Sequence, residues 1–123
     1  MSSIAIIGAS NDAKKYGHAA VLAFLDAGWD VFPVNPNETE VSGRTAYKSV
    51  ADVPQKVDWI SLYVPPPVGI KLLPEFQLIR AEKIWLNPGS ENADLLSTAR
   101  ELGLPVTTGC SIRAIGKNPY DYF

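Results

Sequence analysis

Short apolar runs recur at nearly even spacing along the chain, separated by longer segments of mixed polarity. The five runs are residues 4–7, 30–34, 58–64, 84–87 and 105–108. Three of them are rich in valine and isoleucine, which favour β-strands. Connections of a dozen or more residues between successive strands are typical of βαβ units and force the strands to be parallel. The pattern therefore predicts an α/β fold with a doubly wound sheet of about five parallel strands and helices on both faces.

Three segments between these runs carry helical signals of different quality. Apolar side chains repeat with helical period over residues 16–27, and Gly28 is suited to close the C-terminus of that helix. Ser90 is expected to cap a later helix, whose apolar stripe comprises Leu95, Leu96, Ala99 and Leu102. Pro74 interrupts residues 68–80, where it predicts either a kink or a helix that begins at the proline.

The remaining segments are expected to be turns and loops. Residues 35–38 predict a turn after the second run, and residues 40–47 predict a loop with a short extended piece. The tail, residues 116–123, ends in an aromatic cluster. We expect this tail to pack either on the domain or on a second subunit.

Size and composition narrow the classes of protein that fit. With 123 residues, of which 46% are hydrophobic and 20% charged, residues 1–123 are expected to form one domain. The net charge of −2 disfavours binding to nucleic acid or to an anionic membrane surface. Cys110 is the single cysteine, which excludes an internal disulfide. Without a basic leader or an apolar run of about 20 residues, the chain is expected to be soluble and cytoplasmic.

The first strand runs into a turn that suits a phosphate group. Gly8 allows a tight turn, Ala9 and Ser10 are small, and the following helix presents free N–H groups with a partial positive charge. Lys14 and Lys15 add cationic donors nearby. Alternatively, Gly8 only permits a strand-to-helix turn and the two lysines are solvated. Because ligands of open parallel sheets bind at the carboxyl ends of the strands, this turn is the candidate site.

The usual NAD fingerprint is incomplete in this turn. Ser10 stands where a second glycine is expected, and Gly17 falls late in the motif. The second strand ends in Asn35 and Pro36, whereas an NAD site normally has an acidic residue there for the ribose hydroxyls. A neutral turn tolerates a phosphorylated ribose, which an acidic side chain would repel. The pattern therefore favours a different nucleotide.

Four motifs identify a family resemblance through their order along the chain. They are Gly8-Ala9-Ser10, Tyr16-Gly17, Val34-Asn35-Pro36 and Gly43-Arg44-x-Ala46-Tyr47. This ordered set resembles the small stand-alone CoA-binding proteins, which are similar to the CoA-binding N-terminal domain of the succinyl-CoA synthetase α subunit. The likeness continues through Pro65-Pro66, Trp85-Leu86 and Cys110, and it covers nearly all of residues 3–113.

The resemblance implies a Rossmann-like domain that holds CoA. It implies that residues 8–10 lie near the pyrophosphate, that residues 34–36 lie near the adenosine, and that Pro65 and Pro66 flank the pantetheine groove. The candidate cofactor-binding residues are Gly8, Ala9, Ser10, Lys14, Tyr16, Gly17, Val34, Asn35, Pro36, Arg44, Val64, Pro65, Pro66, Asn87, Gly89 and Cys110. The sequence departs from the family at residues 87–89 and at Gly109, where a basic residue is often found. Arg113 or Lys14 is the candidate to replace that cation.

Few residues suggest catalysis. His18 lies at the start of the first helix and is interpreted as a surface or capping residue. Cys110 is either a buried, inert cysteine or a thiol that faces the thiol end of CoA and forms a mixed disulfide. The acidic residues are spread over loops and helix starts, without a carboxylate pair or a metal-ligand cluster.

Three functions remain open at this point. The leading hypothesis is a protein that binds CoA or acyl-CoA without self-contained catalysis, as a carrier, a sensor, or the partner of an enzyme. The second is an NAD(P)-binding enzyme or redox regulator. The third is a structural interaction subunit, suggested by the aromatic tail and the tryptophans. A homo-oligomer is compatible with each of them.

Overall fold

The structure, a computed structural model, describes residues 2–123 and contains two sheets and four α-helices. The seven strands are β1 (Ser3–Ile7), β2 (Asp30–Val34), β3 (Glu40–Val41), β4 (Arg44–Thr45), β5 (Trp59–Leu62), β6 (Lys83–Leu86) and β7 (Val106–Thr108). The helices are α1 (Tyr16–Asp26), α2 (Pro66–Ile79), α3 (Ala93–Glu101) and α4 (Ser111–Ala114), and there are 3₁₀ turns at Val50–Asp52 and Pro119–Tyr122. No helix within residues 2–123 is long and apolar enough to cross a bilayer.

The larger sheet has five parallel strands in the order β2-β1-β5-β6-β7. The chain builds outward from β1 to β2 on one side, and then returns to place β5 on the other side of β1. This reversal of strand order between β1 and β5 opens a crevice at their carboxyl ends. The predicted Rossmann-like α/β fold with about five parallel strands is confirmed.

Both faces of the sheet are covered, as the sequence predicts. Alternate residues of β1 point to opposite faces, so that Ala5 and Ile7 belong to one apolar core whereas Ile4 and Ile6 belong to the other. The first core contains Leu73 and Phe76 of α2 together with Leu95 and Ala99 of α3. The second core contains residues of α1 and α4. Strand β1 is consequently buried along its whole length.

Of the two alternatives predicted for Pro74, a helix that begins at the proline was wrong, because α2 runs from Pro66 to Ile79 with Pro74 inside it. Leu73 and Phe76, on either side of the proline, are fully buried against the sheet, and this packing holds the helix together. Pro74 itself is exposed, so that solvent reaches the helix surface where its ring removes a backbone hydrogen bond. Tertiary burial therefore outweighs the local cost of the proline.

The predicted cap of α3 was also wrong. Asn92 is the N-cap, and its side-chain oxygen accepts a hydrogen bond of 2.8 Å from the Leu95 N–H. Ser90 is buried instead, and its hydroxyl donates to the Leu62 carbonyl oxygen at 3.1 Å. The serine thus connects the loop after β6 to the end of β5.

The loop and tail predictions have clear outcomes. The extended piece within residues 40–47 is the short antiparallel pair of β3 and β4. The C-terminal tail packs on its own domain, where the Tyr122 hydroxyl donates to the Asp26 carboxylate at 2.7 Å. The Phe123 ring meets the Tyr16 ring edge-on at 4.9 Å between centroids.

Candidate functional site

A continuous groove follows the carboxyl ends of the strands and consists of three adjoining cavities. We call them the proximal, middle and distal sections, with volumes of about 420, 550 and 290 Å³. The proximal and middle sections share Gly8, Asn35 and Val64 as walls. The middle and distal sections share Tyr16, Tyr63 and Pro88. An elongated ligand can therefore lie along all three sections.

The turn after β1 forms the floor of the middle section and depends on two glycines. Gly8 has φ +88°, and a Cβ there would lie 2.9 Å from the Tyr63 carbonyl oxygen. At Gly17 a Cβ would lie only 2.1 Å from the Gly8 carbonyl oxygen. Helix α1 therefore approaches the turn more closely than a residue other than glycine would permit at either position. This approach brings the first backbone N–H groups of α1 to the groove.

The N-terminus of α1 makes the middle section electropositive. No side chain caps this helix, and its first turn contains no acidic residue. Lys14 and Lys15 line the same section. The aligned peptide dipoles place roughly half a positive charge at such a helix end. The middle section thus combines N–H donors and two ammonium groups, an arrangement that suits an anion.

Asn35 stabilises this turn from the neighbouring strand end. Its side-chain amide donates to the Ala9 carbonyl oxygen at 2.8 Å, and its side-chain oxygen accepts from the Asn37 N–H at 2.9 Å. Its backbone N–H donates to the Tyr47 carbonyl oxygen at 2.9 Å. Asn35 therefore shapes the boundary between the proximal and middle sections through hydrogen bonds to the protein itself.

The proximal section has mainly apolar walls with a few polar groups at its edge. Val34 and Pro36 contribute from the end of β2, and α2 contributes Val68, Leu72 and Phe76. The polar groups are Asn37, Lys48, Ser49 and Glu75, and the Ser49 hydroxyl donates to the Glu75 carboxylate. The sequence analysis did not predict Lys48, Ser49 or Glu75 as site residues, because only the tertiary structure brings α2 and the segment after β4 to the end of β2.

A buried hydrogen-bond network underlies the distal section. The Asn87 side chain donates to the Ser61 hydroxyl at 2.7 Å and to the Leu62 carbonyl at 2.8 Å, and it accepts from the Ser111 N–H at 2.9 Å. The Ser111 hydroxyl also lies 2.8 Å from that of Ser61 and 3.1 Å from that of Tyr63. The side-chain amide of Asn87 thus uses both of its donors and accepts one hydrogen bond, and it connects the ends of β5 and β6 to the start of α4.

Tyr63 forms part of the wall that the middle and distal sections share. Burial raises the pKa of its hydroxyl to about 12, while hydrogen bonds from Ser111 and Ser61 oppose the shift. The phenol therefore stays neutral in the groove wall at any physiological pH. Sequence reasoning did not single out Tyr63, although its position at the end of the third apolar run was a usable signal.

The structure brings most predicted site residues to the groove. Gly89 lines the middle section with Ser10 and Pro65, and Cys110 lines the distal section as a half-buried residue. Three predicted residues lie outside the walls: Ala9 is buried beneath the turn, Pro66 begins α2, and Arg44 lines a separate hollow of about 190 Å³ beside Trp29 and Phe32.

Two further polar residues differ in their relation to the groove. Lys14 lines the middle section, whereas Arg113 lines the distal section, so that the two candidate cations serve different parts of the groove. His18 lines none of the three sections. Within residues 2–123 no group of three or more His, Cys, Asp or Glu side chains is placed to hold a metal ion.

Comparison with known proteins identifies relatives with this architecture. The chain is 48% identical over 63 residues to ADP-forming acetate–CoA ligase II subunit alpha of Pyrococcus furiosus, which corresponds to 50% of this chain and 14% of that protein. The chain thus spans about one seventh of the length of this curated relative.

Solved structures share the fold over most of the chain. A hypothetical protein from Pyrococcus horikoshii OT3 matches with a TM-score of 0.83 and 32% identity, covering 89% of this chain and 78% of that one. The dinucleotide-forming acetyl-coenzyme A synthetase 1 of Ca. Korarchaeum cryptofilum matches with a TM-score of 0.73 and 29% identity, covering 85% of this chain and 25% of that one. The family model described as the CoA binding domain matches residues 2–115. The resemblance predicted from the ordered motifs is therefore confirmed, and the chain belongs to the CoA binding domain family.

Proposed function

We propose that the groove binds CoA or an acyl-CoA and that residues 1–123 act as a single CoA-binding domain without catalysis of their own. One observation carries the proposal: the three sections are continuous and follow the order of chemical groups in CoA. An apolar section suits the adenine, an electropositive section suits the diphosphate, and a third section lined by Cys110 suits the pantetheine arm. Membership of the CoA binding domain family supports the same ligand.

The phosphate groups would lie on the turn after β1. There the N-terminus of α1 offers backbone donors, and Lys14 and Lys15 offer positive charge within a chain whose net charge is −2. Attraction of a polyanionic ligand must therefore be local. An exposed cation contributes about 1 kcal/mol to such a contact, which corresponds to roughly fivefold in affinity.

The proximal section supports CoA over NAD. An NAD site uses an acidic side chain at the end of the second strand to bind the ribose hydroxyls. Here Asn35 stands at the end of the second strand, and its side chain makes hydrogen bonds with the Ala9 carbonyl and the Asn37 N–H. Lys48 lines the section and offers a cation to a ribose phosphate. NAD lacks that phosphate, whereas CoA carries it.

A binding role fits the chemistry of the groove walls. Cys110 supplies their one thiol, and neither a histidine nor a pair of carboxylates lines the groove among the residues that the structure describes. General acid–base work needs such groups within reach of the substrate. We therefore infer that the protein holds its ligand as a carrier, as a sensor, or for a partner enzyme.

Isothermal titration and thermal unfolding with CoA, dephospho-CoA and NAD test the proposal. At a CoA concentration of 100 times the Kd, binding stabilises a folded protein by about 2.7 kcal/mol. We expect CoA to bind more tightly than dephospho-CoA, and we expect Lys14→Met to weaken CoA roughly fivefold. Lys56→Met is the matched control, because Lys56 is exposed and lines none of the sections. Stabilisation by NAD but not by CoA would overturn the proposal.

A further inference from the structure

The C-terminal tail of the chain itself lines part of the distal section. The short 3₁₀ helix Pro119–Tyr122 packs on α1, and Pro119 and Tyr120 form part of the section wall. Pro119 is buried, whereas Tyr120 is 65% exposed and has solvent on its outer side. Part of the distal wall is therefore formed by an element that lies outside the five-stranded sheet.

Several contacts hold this wall in place. The Asp26 carboxylate accepts a hydrogen bond of 2.7 Å from the Tyr122 hydroxyl and is paired with the Lys117 ammonium at 3.3 Å. The Asn118 side chain accepts from the Tyr120 N–H at 3.1 Å, which caps the short helix. Polar contacts on both sides of Tyr120 thus tie the tail to α1.

The ring of Tyr120 is also fixed from two directions. The Arg113 guanidinium lies 5.8 Å from the centre of the ring, a cation–π distance. On the other side, the Phe123 ring lies 6.4 Å from the Tyr120 ring between centroids. Interaction with Tyr120 also raises the pKa of the Tyr16 hydroxyl above its ordinary value, and Tyr16 lines both the middle and the distal sections.

We propose that Tyr120 limits the length of the acyl group, so that the ligand is free CoA or the thioester of a short acyl chain. The inference rests on the proposed function and deepens it. The distal section has about 290 Å³, which is near the lower end of the roughly 300–1,000 Å³ typical of ligand pockets. The thiol end of pantetheine must occupy part of this volume, and the Tyr120 ring then stands in the path of a longer chain.

Affinities for a series of acyl-CoA ligands test this limit. CoA, acetyl-CoA, butyryl-CoA and octanoyl-CoA are titrated into the full chain, below their micelle-forming concentrations. We expect similar Kd values for the first three and about tenfold weaker binding of octanoyl-CoA, the size of effect expected when extra methylene groups are forced into a packed site. Tyr120→Ala is expected to bring octanoyl-CoA within about threefold of acetyl-CoA.

Two more variants make the result specific to the ring. Tyr120→Phe keeps the ring and should behave like the unaltered protein, whereas Tyr120→Ser removes the ring as Tyr120→Ala does and serves if that variant folds poorly. The readout is the ratio of octanoyl-CoA to acetyl-CoA affinity, because a general loss of structure weakens both ligands together. Far-UV circular dichroism checks that each variant is folded.

The outcomes separate this inference from the function on which it rests. If CoA itself does not bind, the proposed function fails and the inference fails with it. If CoA binds but octanoyl-CoA binds as tightly as acetyl-CoA, the length limit is wrong and the proposed function stands. An affinity ratio that is the same with and without the Tyr120 ring also overturns the role of this residue.

Discussion

Replacing Gly17 by alanine tests the close contact on which the phosphate turn depends. The added methyl carbon would lie 2.1 Å from the Gly8 carbonyl oxygen, about 0.9 Å inside the 3.0 Å limit that real Cβ atoms respect. The main chain fixes the position of the Cβ, and the oxygen belongs to the main chain, so the clash cannot be relieved by rotating a side chain. Helix α1 cannot retreat freely either, because Ala20 and Phe24 are fully buried in the core.

The expected magnitude follows from this geometry. Forcing additional atoms into a packed interior costs about 1–3 kcal/mol, and more when the backbone must shift. We therefore expect Gly17→Ala to lower the free energy of unfolding by about 3 kcal/mol. The displaced helix would also carry its N–H groups away from the middle section, so the affinity for CoA should fall as well.

Gly28→Ala provides the matched control, because it adds the same methyl group at the other end of α1. Gly28 has φ +82° and nothing within 4 Å of its Cβ position, so this variant bears only the strain of a left-handed alanine. That strain costs about 1–2 kcal/mol. The affinity for CoA should be unchanged in Gly28→Ala.

Urea unfolding followed by tryptophan fluorescence measures both variants, with Trp29 and Trp59 packed beside Phe24 as internal probes. A Gly17→Ala protein as stable as Gly28→Ala, with CoA affinity intact, would refute the claim that α1 and the turn are in contact through Gly17.

Three further predictions follow from the hydrogen bonds of the groove and tail. Asn87→Asp should lower the free energy of unfolding by about 2–4 kcal/mol at pH 8, because a carboxylate would be buried there. Burial raises a carboxyl pKa, so the destabilisation measured by urea unfolding should be smaller at pH 5. A destabilisation that does not change with pH would contradict this account. Tyr63 and Tyr122 both have a pKa of about 12, above the ordinary 10.0, so their contribution to stability is present below pH 10 and is lost as the pH rises towards 12. When tyrosine ionisation is followed by absorbance at 295 nm, Tyr63→Phe should reduce the absorbance increase near pH 12. An undiminished increase would show that Tyr63 ionises at a different pH. Hydrogen bonds from Tyr122 and Lys117 lower the pKa of Asp26 below 3.8. The contacts of the Asp26 carboxylate with the tail therefore stabilise the fold above that pH, and this stabilisation is lost in stronger acid. Asp26→Asn should therefore speed chymotryptic cleavage of the last residues at pH 7, as measured by mass spectrometry; equal cleavage rates would mean that the carboxylate does not hold the tail.

The fold was predictable because its signals are local and repeated. The five apolar runs coincide with the five strands of the large sheet, and each predicted boundary lies within two residues of the observed one. The spacing between runs leaves room for crossovers, and parallel order follows from that spacing. Pro74 shows where local reasoning falls short: a helix that begins at the proline was one of the predicted alternatives, but α2 begins at Pro66 and buries Leu73 and Phe76 on either side of the proline.

The site was predictable where it follows from the strand ends and not where distant segments meet. Gly8, Ser10 and Asn35 adjoin strand ends, and they line the groove as expected. Arg44 belongs to a family motif, yet it lies in another hollow because β4 runs along the outer side of β2. Lys48 follows β4 in the chain and lines the proximal section because that segment lies beside β2. No local sequence pattern predicts this placement.

The sequence by itself determined the α/β architecture, the glycine turn and the family, because each depends on periodicity or on ordered motifs within short stretches. Only the tertiary structure decided that the Asn87 side chain joins the ends of β5 and β6 to the start of α4, and that Tyr120 of the tail lines the distal section of the groove. Those features are contacts between residues far apart in the chain. Their geometry is set by packing of the complete core, so they exist only once the sheet and its helices are assembled.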